Sequence, residues 1–163
     1  MKGKTVKESS VILSQSMSFQ DANNAGNVHG GVIMKLIDTA GGVVAIRHSR
    51  SNAVTASIDR LDFHDPVFIG DFVTFKACVN YVGRTSMEIG VRVESENLLT
   101  GKIRHTSSAY LTYVALDSEG RPKALPPLLL KTETDKRRNR EACFRRQVRL
   151  AEKKSEKKGR DKE

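Results

Sequence analysis

The sequence predicts an α+β domain, with one long apolar helix held against one antiparallel sheet. Three observations lead there. Between Val32 and Ile46, apolar residues recur at spacings of three and four, the period of a helix. From about Val54 the period drops to two, and several such segments follow one another. Gly70-Asp71, Gly83-Arg84 and Thr100-Gly101 fall between those segments, and short turns of this kind join antiparallel neighbours.

Taken in order, residues 1–10 are polar and are expected to fray. Val11 to Ser18 reads as a short strand. Phe19 to Asn27 is rich in Asn, Asp and Gly, which is loop chemistry. His29-Gly30-Gly31 opens the helix, whose apolar pattern carries it to about His48. Gly41 and Gly42 lie inside it. Each costs about 1 kcal/mol relative to alanine, so close backbone packing is expected there. Val54 to Phe63 is the next strand, broken by His64-Asp65-Pro66. Val73, Phe75, Ala77, Val79 and Tyr81 alternate with mostly polar partners, as do Met87, Ile89, Val91 and Val93. Ile103 to Leu116 makes a long final strand, and Asp117 to Pro122 a turn. Pro126-Pro127 marks the expected end of the packed domain. From Glu133 the chain is charged with sparse apolar residues (Phe144, Val148, Leu150), read as an exposed helix that frays near Lys157.

At 163 residues, 38% of them hydrophobic, the chain suits one domain with a real core. No apolar run after Met1 resembles a signal peptide, and none reaches membrane-spanning length, so a soluble protein is expected. Cys78 and Cys143 lie far apart and read as unlinked thiols in a reducing cytoplasm. The net charge of +9 is a property of the tail. Residues 131–163 hold 14 Lys/Arg against 7 Asp/Glu, a net +7, and the rest 14 against 12, a net +2. A basic tail attracts phosphates of many kinds. Three tyrosines and no tryptophan leave little for base stacking, which argues against nucleic acid.

Most catalytic signatures are missing. There is no Gly-x-Ser-x-Gly elbow and no Walker loop, and His29, His48, His64 and His105 show no metal spacing. The junction between the Asn-rich loop and the helix remains. A helix opening on Gly30-Gly31 presents unpaired N–H groups at its positive end, which suit an oxyanion or merely tight loop packing. Asp38 stands among apolar residues on a helix that looks buried around most of its surface. It either closes a structural hydrogen-bond network or is kept as a base or nucleophile. Asn23 suits orienting a water, or an Asx turn.

The run Asp21-Ala22-Asn23-Asn24-Ala25-Gly26-Asn27-Val28-His29-Gly30-Gly31, then Met34 to Asp38 and Ala40-Gly41-Gly42, resembles the hotdog-fold acyl-CoA thioesterases. Asp62 to Pro66 with Gly70-Asp71, Val82 to Ser86, and Thr112 to Asp117 continue it. The resemblance covers residues 11–126 and leaves 127–163 outside as a basic helical tail. It implies a sheet wrapped around a central helix, with two protomers joining sheets and dimers assembling into hexamers. It further implies hydrolysis of fatty acyl-CoA at a site between subunits. Asp38 is the implied catalytic carboxylate, and Asn23 of the partner subunit orients water or substrate. The Gly31 N–H, with Gly30, holds the oxyanion, and His29 forms pocket wall. Val82, Gly83, Arg84, Thr85 and Ser86 match the coenzyme A segment, although they also suit an ordinary hairpin turn. Arg60 and Phe63 are candidates for the pantetheine channel. No separate cofactor or metal is implied, since coenzyme A binds as part of substrate or product. A hydratase needs a His paired with an acid, which fits less well; a non-catalytic acyl-CoA sensor is the alternative.

Overall fold

The computed structural model describes the backbone of residues 1–160 and side chains through residue 155. The elements are β1 (Lys4–Thr5), α1 (Val6–Ser9), β2 (Val11–Ser16), α2 (Gly30–Ser49), β3 (Asn52–Phe63), β4 (Phe72–Val82), β5 (Ser86–Asn97), β6 (Lys102–Leu116), β7 (Leu128–Leu129) and α3 (Glu133–Arg160). Strands β2 to β6 form an antiparallel sheet in the order β2-β4-β5-β6-β3, so β2 and β3 are its edges. This is the expected α+β arrangement, with α2 on one face.

The period of two sorts the strands as it should. Phe75, Val79, Ile89, Val93, Leu111 and Tyr113 point inward and are buried against Ile33, Ile37, Ala40 and Val44 of α2. The helix is not buried all round, however. Met34, Asp38, Val43 and Ile46 are exposed in the single chain. The expectation of close packing at the glycine pair holds at one of them. A Cβ at Gly41 would lie 2.5 Å from the Tyr113 hydroxyl oxygen, whereas one at Gly42 would meet the ring at 4.0 Å.

Residues 1–10 are not frayed, and the packed chain continues past Pro127. β1 pairs in parallel with β7. Lys4 Nζ donates to the carbonyls of Arg47 (2.7 Å) and His48 (2.8 Å), where the last turn of α2 has unpaired acceptors and favours a cation. The buried His48 ring ties the same elements together. Its Nε2–H donates to the Pro126 carbonyl (2.9 Å), so Nδ1 accepts from Ser9 Oγ (3.1 Å).

The tail also differs from expectation. Its helix runs on past Lys157 to Arg160, and it docks on the outer face of the sheet instead of standing free. Arg145 donates through Nε (3.1 Å) and Nη2 (2.6 Å) to the Glu88 carboxylate, and its guanidinium lies 3.7 Å from the centre of the Tyr110 ring. Arg138 reaches Cys78 Sγ at 3.3 Å, Asn139 donates to the Asn80 carbonyl at 2.8 Å, and Arg149 pairs with Asp59. Ala142 is the one fully buried apolar side chain of α3 among the described residues. Polar groups on the strands, Glu88 and Asp59 among them, hold this helix in place of an apolar stripe.

Candidate active site

The first turn of α2 starts at His29, whose extended backbone and ring nitrogen cap the helix. Gly31 N–H donates to His29 Nδ1 at 2.9 Å. The N–H expected to hold an oxyanion is therefore already engaged, and His29 is a cap, not a wall of the nearby cavity. Gly30 N–H has no hydrogen-bond partner among the described residues. A ready oxyanion donor must be free, and in this structure Gly30 N–H meets that condition while Gly31 N–H does not.

Two turns further along, Asp38 projects from the exposed side of α2 toward the sheet. Thr55 Oγ1 on β3 donates to its Oδ1 at 2.5 Å, and the Tyr113 hydroxyl on β6 donates to the same oxygen at 2.9 Å. Tyr113 also reaches the Asp38 carbonyl at 2.9 Å. Thr55 and Tyr113 are register partners, so the sheet delivers both hydroxyls to one point. Burial holds the Tyr113 hydroxyl well above the ordinary tyrosine range, and the Asp38 carboxylate beside it acts in the same direction. The phenol keeps its proton and donates it toward Asp38. Both donors converge on Oδ1, and Oδ2 has no protein partner among the described residues. One oxygen is fixed and the other is available for chemistry. The sequence assigns a site role to neither Thr55 nor Tyr113, although Tyr113 lies in the Thr112–Asp117 motif.

Asn23 sits elsewhere. Its Oδ1 accepts from Ala25 N (2.9 Å) and Asn27 N (3.2 Å), so the Asx-turn reading describes its carbonyl end. Its Nδ2 has no partner among the described residues. Asn23, Gly30, Phe63 and His64 line a cavity of ≈ 350 Å³ between the loop and the end of β3. Of the two channel candidates, Phe63 lines this cavity, while Arg60 pairs with Asp62 at 2.6 Å and stands outside it. The loop is hung on the 64–71 turn through Val28 N to the Val67 carbonyl (2.9 Å). That turn is held by Asp71, buried and paired with Arg104 at 2.8 Å.

Val82 to Ser86 forms the β4–β5 turn. It is closed by Gly83 N to the Ser86 carbonyl (2.8 Å) and tied to β6 by Ala115 N to the Thr85 carbonyl (3.0 Å). That places the turn, with exposed Arg84, beside Tyr113 and therefore at the Asp38 end of the sheet. The Asn23 end is distant. Thr55 pairs with Tyr113 but Phe63 pairs with Ser107, six positions along β6 (113 against 107). At about 3.3 Å per residue that is roughly 20 Å. One protomer does not bring Asn23 and Asp38 together.

Comparison with known proteins agrees with the fold. The Thioesterase superfamily model matches residues 25–102. A mouse (Mus musculus) cytosolic acyl coenzyme A thioester hydrolase is 39% identical over 136 residues, 82% of this chain. The chain spans only 36% of that relative's length. An apo-hexameric acyl-CoA thioesterase superposes with a TM-score of 0.90 at 37% identity, covering 93% of this chain and 97% of that one. An acyl-CoA hydrolase from Staphylococcus aureus, solved with butyryl coenzyme A, coenzyme A and coenzyme A disulfide, superposes with a TM-score of 0.89 at 32% identity over 96% of this chain and 95% of its own. That hydrolase has also been solved with alanine replacing an aspartate, an asparagine or a threonine. With a matching fold along nearly its whole length, the chain belongs to the hotdog-fold acyl-CoA thioesterases.

Proposed function

We propose that this protein hydrolyses fatty acyl-CoA to a free acid and coenzyme A at sites shared by two protomers. The observation that carries the reading is the Asp38 carboxylate, with Oδ1 fixed by two hydroxyls and Oδ2 open. As a general base, Oδ2 takes a proton from water while the hydroxide attacks the thioester carbonyl, and the carbon–sulfur bond then breaks to release the thiolate. As a nucleophile, Oδ2 attacks the carbonyl itself, the carbon–sulfur bond breaks as the thiolate leaves, and water hydrolyses the resulting anhydride to the free acid and the restored carboxylate. Either route puts negative charge on the carbonyl oxygen. Gly30 N–H is free to receive it, and Gly31 would join once His29 turned away.

The shared site follows from the two distant ends of β3. This strand is an unpaired edge carrying exposed Val54, Ile58 and Phe63, an arrangement that invites pairing with a second copy. Antiparallel self-pairing centred near Asp59 would set Thr55 opposite Phe63 of the partner subunit, and so carry Asn23 of the partner toward Asp38. The aspartate, asparagine and threonine replaced in the S. aureus hydrolase have the same sequence separations as Asp38, Asn23 and Thr55. Val82 to Ser86 would take the nucleotide of coenzyme A, with Arg84 on phosphate. A hexamer built of dimers and a cytosolic setting, as in the relatives, complete the reading. No helix among the described residues is long and apolar enough to cross a membrane.

Thiol release from acyl-CoA of several chain lengths tests it. Asp38→Ala should lose activity by about a thousandfold, as removal of a catalytic group does, and Asn23→Ala should also be impaired. After subunit exchange, a mixture of the two variants should regain about a quarter of wild-type rate, because half the dimers then hold one intact site. No turnover at any chain length, or no recovery on mixing, sinks the respective half. Tight coenzyme A binding without turnover would favour a sensor.

A further inference from the structure

The role given to α3 by its contacts is not exhausted by anchoring. The register of β3 against β6 slips between Ile58 and Arg60, which leaves Asp59 in the irregularity at the middle of the edge strand. Such a bulge bends a strand and increases its twist. An edge strand has a ladder on one side only, so its course depends more on side-chain ties than that of an inner strand does.

Asp59 is held from three directions. Its carboxylate, with the side chain 9% exposed, accepts from Ser57 Oγ (2.8 Å), from Thr112 Oγ1 (2.9 Å) and from the Arg149 guanidinium. Arg149 is 16% exposed and also donates to Thr112 at 2.5 Å. One helical turn earlier, Arg145 grips Glu88 on β5, so the reach of Arg149 is set from a fixed base. A charge pair this dry costs desolvation of both partners, yet it stands where β3 is irregular, midway between Thr55 and Phe63.

We infer that Arg149 is a positioning residue: it pins the Asp59 bulge and thereby sets how the Thr55 and Phe63 ends of β3 face a second protomer. Its catalytic consequence rests on the shared site proposed above; its effect on β3 does not. Amide hydrogen exchange on the full chain separates the two. Arg149→Met should speed exchange across Thr55–Phe63 by about tenfold or more and leave α2 and β4 unchanged. In the same variant kcat should fall about tenfold with KM within about twofold, the signature of a geometric fault and not of lost substrate binding. Arg149→Lys should recover part of both. The double variant Asp59→Asn/Arg149→Met removes the stranded carboxylate. If it restores protection and rate, the pair merely neutralises charge and positioning is overturned. Unchanged exchange in Arg149→Met overturns it equally, and fast exchange with full kcat overturns its catalytic half. If wild-type protein releases no thiol, the thioesterase reading fails while exchange still decides the role of Arg149.

Discussion

Helix α2 meets the sheet through Ile33, Ile37, Ala40 and Val44, while α3 meets the same strands from the other side through Arg138, Arg145 and Arg149. The inner contact is non-directional and tolerates small shifts; its strength grows with area removed from water. The outer contact is a set of directional bonds to polar groups of the strands, and two of its partners, Glu88 and Asp59, are acids that are costly if left alone. The same sheet therefore carries a tightly filled face and a pinned face. The Asp38 carboxylate lies at the margin of the filled one, where the Tyr113 hydroxyl reaches it from the core.

Phe75→Ala would break this comparison hardest. Phe75 is fully buried on the inner face, and the cavity left behind should cost about 4 kcal/mol in urea unfolding. Next comes Arg145→Met. It leaves Glu88, 3% exposed, as an uncompensated charge and should cost about 3 kcal/mol. Removing both charges in Glu88→Gln/Arg145→Met should return most of that loss. An inner-face pair of truncations would show no such recovery, so equal behaviour on the two faces would erase the distinction.

The smallest effect concerns the end of α2, at His48, where Ser9 and the Pro126 carbonyl meet the ring. Burial holds this ring below the ordinary histidine value of 6.5, so it is neutral in the fold. Just below pH 6.5 the unfolded chain binds the proton more readily. Stability contributed by the neutral ring is then full above that pH and declines as pH falls through it. Burial depresses His105 in the same direction, so the comparison must be with His48→Gln. The fall in urea midpoint between pH 7.5 and 5.5 should be smaller in that variant; an equal fall would remove His48 as a source.

The inner face was legible because periodicity reports it directly: helix α2 begins at Gly30 as read and ends at Ser49, one residue beyond expectation. Asp38 was legible as an acid among apolar neighbours, and Asn23 as a polar loop residue. Thr55 and Tyr113 were not. A threonine in a strand is ordinary, and a tyrosine at an inward position reads as core; only the β3–β6 register brings both onto Asp38. The glycine pair was the available clue, since something bulky had to approach it. The outer face was missed for the opposite reason. Apolar patterning is the signal for a packed helix, and α3 has almost none. Glu88 between Met87 and Ile89, with arginines at 145 and 149, carried the information in charge instead.

The notch at Gly41 has a meaning for descent as well as for packing. A lineage that gains a methyl group at 41 loses the place of the hydroxyl at 113, and with it one of the two groups that steady Asp38. One that trades the tyrosine for something smaller opens a void beneath the helix. Single steps away from either residue are therefore penalised. Positions 41 and 113 are thus sterically coupled: the side chain allowed at one depends on the side chain present at the other.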